Sequence, residues 1–471
     1  MTLTFIGCNY KYETENIIRL FFPHLKVKIT EERDCDFYVE IKKENGLLTV
    51  KYKKDNYEKI VSEKSECDNE LQFCTMLYKI LQKNTGITPE WGIQTGIRPV
   101  KLFREKSEEY LRKKLLVSEK KILLSKETLE NETKILSKLM PNSYSLYISI
   151  PFCPSRCSYC SFISHDVNKM REQLPQYIKN LCEELKIISE IANKNKLTLQ
   201  TIYIGGGTPT ILDADELYIL FSVINKYFDT KHTYEYTLEA GRPDTITKEK
   251  LQIIKKHGVN RVSVNPQTLD DNLLINIKRN HTAQQFYEAF MLTRDIGFNI
   301  INVDLIAGLN GDTLKNFKNT VDKIIELNPE NITIHTLTLK RASTVSYNEE
   351  AVFDPIGELV SQMVDYSYSA LKKTGFFPYY LYRQNKSAGN LENVGYSKKG
   401  RESLYNVYIM DECQTILAAG AGAVSKIVSD KTGCFRIKRI FNHKYPYEYN
   451  NRFCEIISKK NAINDLFLLE I

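Results

Sequence analysis

Leu146-Tyr147-Ile148-Ser149-Ile150-Pro151-Phe152-Cys153-Pro154-Ser155-Arg156-Cys157-Ser158-Tyr159-Cys160 is the stretch on which the fold turns. Its first five residues are rich in β-branched and aromatic side chains, so they read as a strand. Pro151 ends that run, and three cysteines then share one loop. Toward the C-terminus the strand pattern returns at residues 201–204, 234–238, 261–264, 300–305 and 332–335. Amphipathic helices separate these runs. The first sets Leu174, Ile178, Leu181, Leu185 and Ile188 at steps of four, three, four and three, a single apolar face. Several of these helices end at a glycine, such as Gly258 or Gly297, as C-caps do. Six strand–helix units in series predict a parallel sheet with right-handed crossovers, either doubly wound or curved into a partial barrel. In both, chemistry belongs at the carboxyl ends of the strands. The cysteine loop lies at such an end.

The flanks differ from this pattern. Alternation over residues 37–41 and 47–52, with Asn45-Gly46 between them, predicts a hairpin. Charged helical periodicity dominates residues 102–139, so residues 1–140 read as an α+β domain with a helical connector. The barrel occupies residues 141–345. After Ser346 the alternation stops, and residues 346–471 read as a mainly helical C-terminal domain. It holds a predicted helix from Ile356 to Thr374, an aromatic stretch over 376–382, and Gly420-Ala421-Gly422-Ala423, where backbone approaches backbone closely.

The chain has 471 residues, enough for two to four domains, and 42% apolar against 26% charged residues argues against disorder. No stretch approaches the roughly 18 consecutive apolar residues of a membrane span. Met1 to Tyr10 lacks a basic region followed by an apolar run, so a secretory signal is not expected and the cytoplasm is. Eight of the eleven cysteines stand singly, which suits a reducing compartment rather than a disulfide framework. A net charge of +7 is mild for this length and favours acidic partners only weakly.

Cys153, Cys157 and Cys160 follow Cys-x3-Cys-x2-Cys spacing, with Tyr159 just before the third. Three thiolates on one loop can bind three irons of a [4Fe–4S] cube and leave the fourth open. The amino and carboxylate groups of S-adenosylmethionine (SAM) can chelate an open iron, so that an electron from the cluster breaks a carbon–sulfur bond. Two other chemistries stay open. A Cys3His zinc site would recruit His165. A dithiol of Cys157 and Cys160 would leave Cys153 without a role.

The triplet resembles the radical SAM signature, and its surroundings resemble the oxygen-independent coproporphyrinogen III oxidase group. Tyr147-Ile148-Ser149-Ile150-Pro151-Phe152-Cys153 is similar to that group's lead-in to the cluster loop. Gly205-Gly206-Gly207-Thr208-Pro209-Thr210 is similar to its glycine-rich motif after the second strand. The similarity runs from Tyr144 to Thr338, and more faintly beyond. Trp91-Gly92-Ile93-Gln94-Thr95-Gly96-Ile97-Arg98-Pro99 resembles the extended, HemZ-type branch.

The resemblance implies a partial (β/α)6 TIM-like radical SAM barrel between the two flanking domains. It implies a [4Fe–4S] cluster on Cys153, Cys157 and Cys160, and SAM as cofactor. Gly206, Gly207 and Thr208 match contacts to the methionine end of SAM, Glu239 to its amino group, and Tyr147 to a further cofactor contact. Gln267, Arg279 and Asp304 match polar positions lining a SAM or second-SAM pocket. Asp304 also stands out by itself, since a lone carboxylate within the apolar run 300–306 is costly to bury without a partner. Arg279 reads equally as a surface helix arginine, and His335 as a satisfied core histidine.

The reaction implied is oxidative decarboxylation of coproporphyrinogen III to protoporphyrinogen IX in haem biosynthesis, fed by a low-potential electron donor such as flavodoxin or ferredoxin. The decarboxylase pattern carries a fourth cysteine two positions after the third. Phe162 stands there, as in relatives that include a haem-trafficking branch. A haem-binding or haem-transfer protein is therefore the alternative. A third reading is an RNA-modifying radical SAM enzyme, but no basic groove interleaved with aromatics appears in residues 1–140, and nucleic acid is not an expected partner. Arg98, Lys101 and Arg104 are candidates for a substrate's carboxylates, or ordinary helix-end charges.

Overall fold

The strand that launches the cysteine loop is Ser143–Ile150 (β1), and the rest of the barrel is laid beside it in chain order. The computed structural model describes residues 1–23, 25–30, 36–160, 165–338, 357–384, 387–429 and 436–469. β1 pairs in parallel with Thr198–Gly206 (β2). The ladder continues through Glu235–Glu239 (β3), Arg261–Ser263 (β4), Ile301–Ala307 (β5) and Asn331–Thr336 (β6), every neighbour parallel. The crossovers carry Leu174–Lys194 (α1), Ala214–Tyr227 (α2), Lys248–Lys256 (α3), Ala283–Asp295 (α4) and Leu314–Glu326 (α5). Glu358–Lys373 (α6) follows β6. This is the expected partial (β/α)6 barrel.

Local chemistry explains these elements. Leu174, Ile178, Leu181, Leu185 and Ile188 are all buried, so the apolar stripe of α1 is its packing face. α2 and α4 open on capping boxes, Asp213 with Glu216 and Thr282 with Gln285, which satisfy the free N–H groups of the first turn.

The C-terminal segment extends this sheet at both edges. Phe377–Arg383 (β7), the expected aromatic stretch, and Glu392–Ser397 (β8) add antiparallel strands beyond β6. After Leu404–Asp411 (α7), Thr415–Ala419 (β9) docks in parallel on β1. Val424–Ser429 (β10) and Arg436–Phe441 (β11) continue antiparallel from β9. Pro446–Asn451 (α8) and Phe453–Leu469 (α9) close the chain. Among the described residues the barrel is thus the centre of an open eleven-stranded sheet. Helices α6 to α9 are accompanied by strands that join the barrel rather than forming a layer of their own. Ile356, the expected start of α6, and the expected boundary at residue 345 lie outside the described residues.

Among the described residues, Thr2–Ile6, Lys28–Ile29, Phe37–Glu44, Leu47–Lys54 and Tyr57–Lys64 build a separate five-stranded sheet. Asn45 and Gly46 have φ of 50° and 73°, the left-handed pair that a two-residue hairpin needs. The helical run expected over 102–139 is three helices, Pro99–Glu105, Glu108–Lys113 and Glu119–Leu136. Ser107 and Ser118 cap the second and third through their side chains, which is why the periodicity breaks there.

The Trp91 to Pro99 stretch fastens the N-terminal part to β7 and β8. Buried Trp91 donates through Nε1 to Glu392 Oε2 at 2.7 Å, and Lys121 Nζ bonds Glu392 Oε1 at 2.6 Å. Arg383 lies 5.2 Å over the Trp91 ring and donates to the Gln94 carbonyl at 2.7 Å. Arg98 pairs with Glu412, and Arg104 with Asp411 at 2.9 Å and Glu132 at 3.4 Å. These two arginines, considered above for substrate carboxylates, are taken by the protein's own. Among the described residues no helix is long and apolar enough to cross a membrane.

Candidate active site at the carboxyl ends of the barrel strands

The cysteine loop leaves β1 at Ile150 and is pinned by its neighbours. Gly207 N donates to the Ile150 carbonyl and Thr208 N to the Phe152 carbonyl, both at 2.8 Å. This contact requires glycine: a Cβ on Gly207 would stand 2.5 Å from the Phe152 oxygen. The Thr208 hydroxyl donates to Cys153 Sγ at 3.4 Å. Farther along, Ser158 N bonds the Ile277 carbonyl at 3.0 Å and Cys160 N the Cys157 carbonyl at 3.2 Å. Cys157 is buried and the other two cysteines are half-buried. Phe162 lies outside the described residues.

Phe152–Cys153 pairs in parallel with His165–Asp166, His165 opposite Phe152. Side chains alternate across such a ribbon, so His165 faces away from Cys153. Its ring instead meets Tyr445 edge-on at 5.7 Å. The Cys3His zinc arrangement is not built.

Two carboxylates stand on strands β3 and β5, with β4 between them. Glu239, the last residue of β3, accepts from the Tyr203 hydroxyl of β2 at 2.5 Å. Burial pushes its carboxyl up to about 7, the Tyr203 bond opposing and the nearby Asp304 charge adding to the rise. Tyr147, Tyr203 and Tyr405 stack beside it, the last two with ring centres 4.5 Å apart. Asp304 of β5 accepts from Asn302 at 2.8 Å and Asn265 at 2.9 Å, and His335 Nε2 stands 3.7 Å away. Burial alone would raise the Asp304 carboxyl, but His335, Asn302 and Thr333 together hold it below the usual range. His335 is therefore no core histidine: it is partly exposed and faces Asp304.

A family model described as the Radical SAM superfamily matches residues 147–324, the stretch that holds this loop and both carboxylates. The oxygen-independent coproporphyrinogen-III oxidase-like protein HemZ of Bacillus subtilis (strain 168) is 37% identical over 464 residues, 93% of this chain and 92% of that protein. The chain belongs to the radical SAM superfamily, in the HemZ-type family. The heme chaperone HemW of Bacillus subtilis (strain 168) is 32% identical over 292 residues, 61% of this chain and 72% of that protein. Among solved structures, the coproporphyrinogen III oxidase HemN from Escherichia coli shares the fold, with a TM-score of 0.54 and 19% identity over 69% of this chain and 72% of that one.

Membership in the radical SAM superfamily implies a [4Fe–4S] cluster and SAM. When bound, they supply one-electron cleavage of a carbon–sulfur bond and with it a hydrogen-abstracting radical. The residues of this HemZ-type chain fit such a pair. Three cysteines share one loop, and hydroxyl and guanidinium donors are aimed at two of the sulfurs. Gln267, held at φ 70°, bonds Asp304 through its backbone, while its side-chain Oε1 is buried without a hydrogen-bond partner. An orphaned buried acceptor is what a ligand's N–H or O–H would satisfy.

Arg279 is buried and lies outside any helix, so the surface-arginine reading fails. It donates to Tyr159 OH at 3.0 Å and to the carbonyls of Gly241 and Asn265 at 2.6 Å each, bracing the cysteine loop against the ends of β3 and β4. Sequence reasoning missed Tyr203, Asn265 and Arg242. The last had a visible signal, since Gly241-Arg242-Pro243-Asp244 follows Glu239 almost directly.

Proposed function

We propose that this radical SAM protein carries its [4Fe–4S] cluster on Cys153, Cys157 and Cys160 and uses SAM to decarboxylate coproporphyrinogen III oxidatively to protoporphyrinogen IX. The likeness to HemZ along nearly the whole of both chains carries this reading. Glu239 would accept from the SAM amino group, with Gly206, Gly207 and Thr208 beside its methionine end and Tyr147 flooring the site. Gln267, Arg279 and Asp304 would line the remaining polar wall, Gln267 offering its orphaned oxygen. The chain's own part is to bind, to orient and to exclude water behind the Tyr147, Tyr203 and Tyr405 stack. The reading includes a reducing, cytoplasmic setting, which the mostly scattered cysteines suit, and a low-potential electron donor such as flavodoxin or ferredoxin. It also includes three units, residues 1–140, 141–345 and 346–471, the first supported by its separate sheet.

A second reading is haem binding and transfer without decarboxylation. The likeness to HemW and the presence of Phe162 where the decarboxylase pattern has cysteine favour it. One experiment separates the two. Anaerobically reconstituted protein is given SAM, a reductant and coproporphyrinogen III, and the products are chromatographed. Decarboxylated porphyrinogen is expected. SAM cleavage without that product, together with stoichiometric haem binding in a parallel titration, would transfer the assignment to the second reading.

A further inference from the structure

We propose that Arg242, gripped by Asp244, donates to the Cys157 thiolate and sets the reduction potential of the cluster held there. The inference rests on the cluster reading of the loop and goes beyond it by naming what tunes the cluster. Arg242 follows the end of β3 and is buried, with only 3% of its surface exposed. Its Nε and Nη2 bond the two Asp244 oxygens at 3.0 Å each, a fork that fixes the guanidinium plane. Nη1 is left over, and it points at the cysteine loop. It stands 3.2 Å from Ser155 Oγ and 3.7 Å from Cys157 Sγ.

Arg279 reaches the same sulfur at 3.9 Å, but its shorter bonds go to Tyr159 and two carbonyls. Its place is explained by the loop it braces. Nothing comparable explains Nη1 of Arg242, whose contacts are both on the loop. Cys153 receives a hydroxyl from Thr208.

One-electron reduction by a low-potential donor adds a negative charge that spreads onto the ligating sulfurs. Hydrogen bonds to those sulfurs and local net charge are the protein's main controls over cluster potential. A buried cation with an N–H aimed at one sulfur stabilises the reduced form more than the oxidised form. Arg242 therefore raises the potential and eases reduction.

The test is an EPR-monitored redox titration, with dithionite as reductant, of anaerobically reconstituted full-length wild type, Arg242→Met and Arg242→Gln. At the wild-type midpoint, the ratio of reduced to oxidised cluster should fall about tenfold in R242M, a downward shift of 59 mV for a one-electron couple. R242Q, which keeps an amide donor but no charge, should fall about threefold. Iron and sulfide content should stay at the wild-type level in both. A cluster-loaded R242M with the wild-type ratio overturns the proposal. If R242M does not fold or take up iron, R242Q decides, and a wild-type ratio there overturns it equally. Wild type that takes up no cluster overturns the underlying reading, an outcome distinct from equal potentials.

Discussion

Two carboxylates in this chain, Glu184 buried and Glu239 half-buried, face opposite circumstances. Glu184, on α1, accepts from Asn442 at 2.7 Å, Gly420 N at 2.8 Å, Tyr449 OH at 2.6 Å and Lys460 Nζ at 3.2 Å. Both members of the Glu184–Lys460 pair are fully buried. Glu239, at the mouth of the barrel, has the Tyr203 hydroxyl as its side-chain donor and is held up to about 7. Glu184 is saturated, and its consequence is structural. It fixes Gly420-Ala421 against the end of β1, where Ser149 Oγ donates to the Ala421 carbonyl at 2.9 Å. A Cβ on Gly420 would stand 2.5 Å from the Ser149 carbonyl oxygen. The C-terminal segment thereby braces the strand that launches the cysteine loop. Glu239 keeps bonding capacity unspent, and a carboxylate in that state is the one that gains from a ligand's ammonium.

Removing each group should separate these roles. Glu184→Ala strands Lys460 without its ion-pair partner in a dry interior, although Ala418 O and Ser425 Oγ still accept from it. Breaking a buried pair in this way costs on the order of 3 kcal/mol. Urea denaturation should show that loss in the first unfolding transition. A cost near zero would mean that the latch relaxes freely and that saturation confers nothing. Glu239→Gln should leave the transition within about 1 kcal/mol of wild type, because it replaces a reluctant charge with a neutral isostere. It should instead weaken SAM binding to the reconstituted protein by about 2 kcal/mol, roughly 30-fold, with cluster content unchanged. Equal SAM affinity in E239Q and wild type would break the contrast from the other side.

The same contrast has a pH signature. The Glu239 carboxyl lies above its unfolded value of 4.5, so the folded chain holds the proton more tightly. Stability from this group therefore falls as pH rises from about 4.5 through 7. Ligand binding runs the opposite way, since the ionised form is the one that accepts from an ammonium. Between pH 6 and pH 8 the ionised fraction rises about tenfold, and SAM affinity, measured by equilibrium dialysis, should rise with it. E239Q should remove that part of the slope and leave only the titration of SAM itself. A wild-type profile no steeper than the E239Q profile would show Glu239 ionised throughout.

What the sequence made legible follows from how local each signal is. The barrel strands and the α1 stripe were readable because periodicity and caps are properties of short windows, and each of the six predicted runs overlaps an observed strand. The pairing of β9 with β1 was not, since Ala418 and Tyr147 are neighbours in space but 271 positions apart. Tyr57–Lys64 was missed because its charged face is exposed and masks the alternation. The cysteine loop was legible from spacing alone. Its supporting cast was less so: Arg279 reads equally as a pocket residue and as surface in a linear view, and His335 as core, because only the fold sets one under the loop and the other beside Asp304.

The smallest expected effect concerns Tyr203, and it asks whether Glu239 is tuned or merely placed. The Tyr203 hydroxyl donates to the ionised carboxylate and so holds the Glu239 carboxyl lower than burial alone would. Tyr203→Phe removes that donor while keeping the ring that stacks on Tyr405 at 4.5 Å. The midpoint of the SAM-affinity profile should then move upward by about one pH unit, equivalent to a net bond of roughly 1.4 kcal/mol. Affinity well above the midpoint should fall less than threefold, because the carboxylate itself is intact. The direction is what discriminates. A midpoint that stays in place would reduce Tyr203 to packing, whereas a downward move would mean that the hydroxyl bonds the protonated acid and that the carboxylate takes its order from another donor.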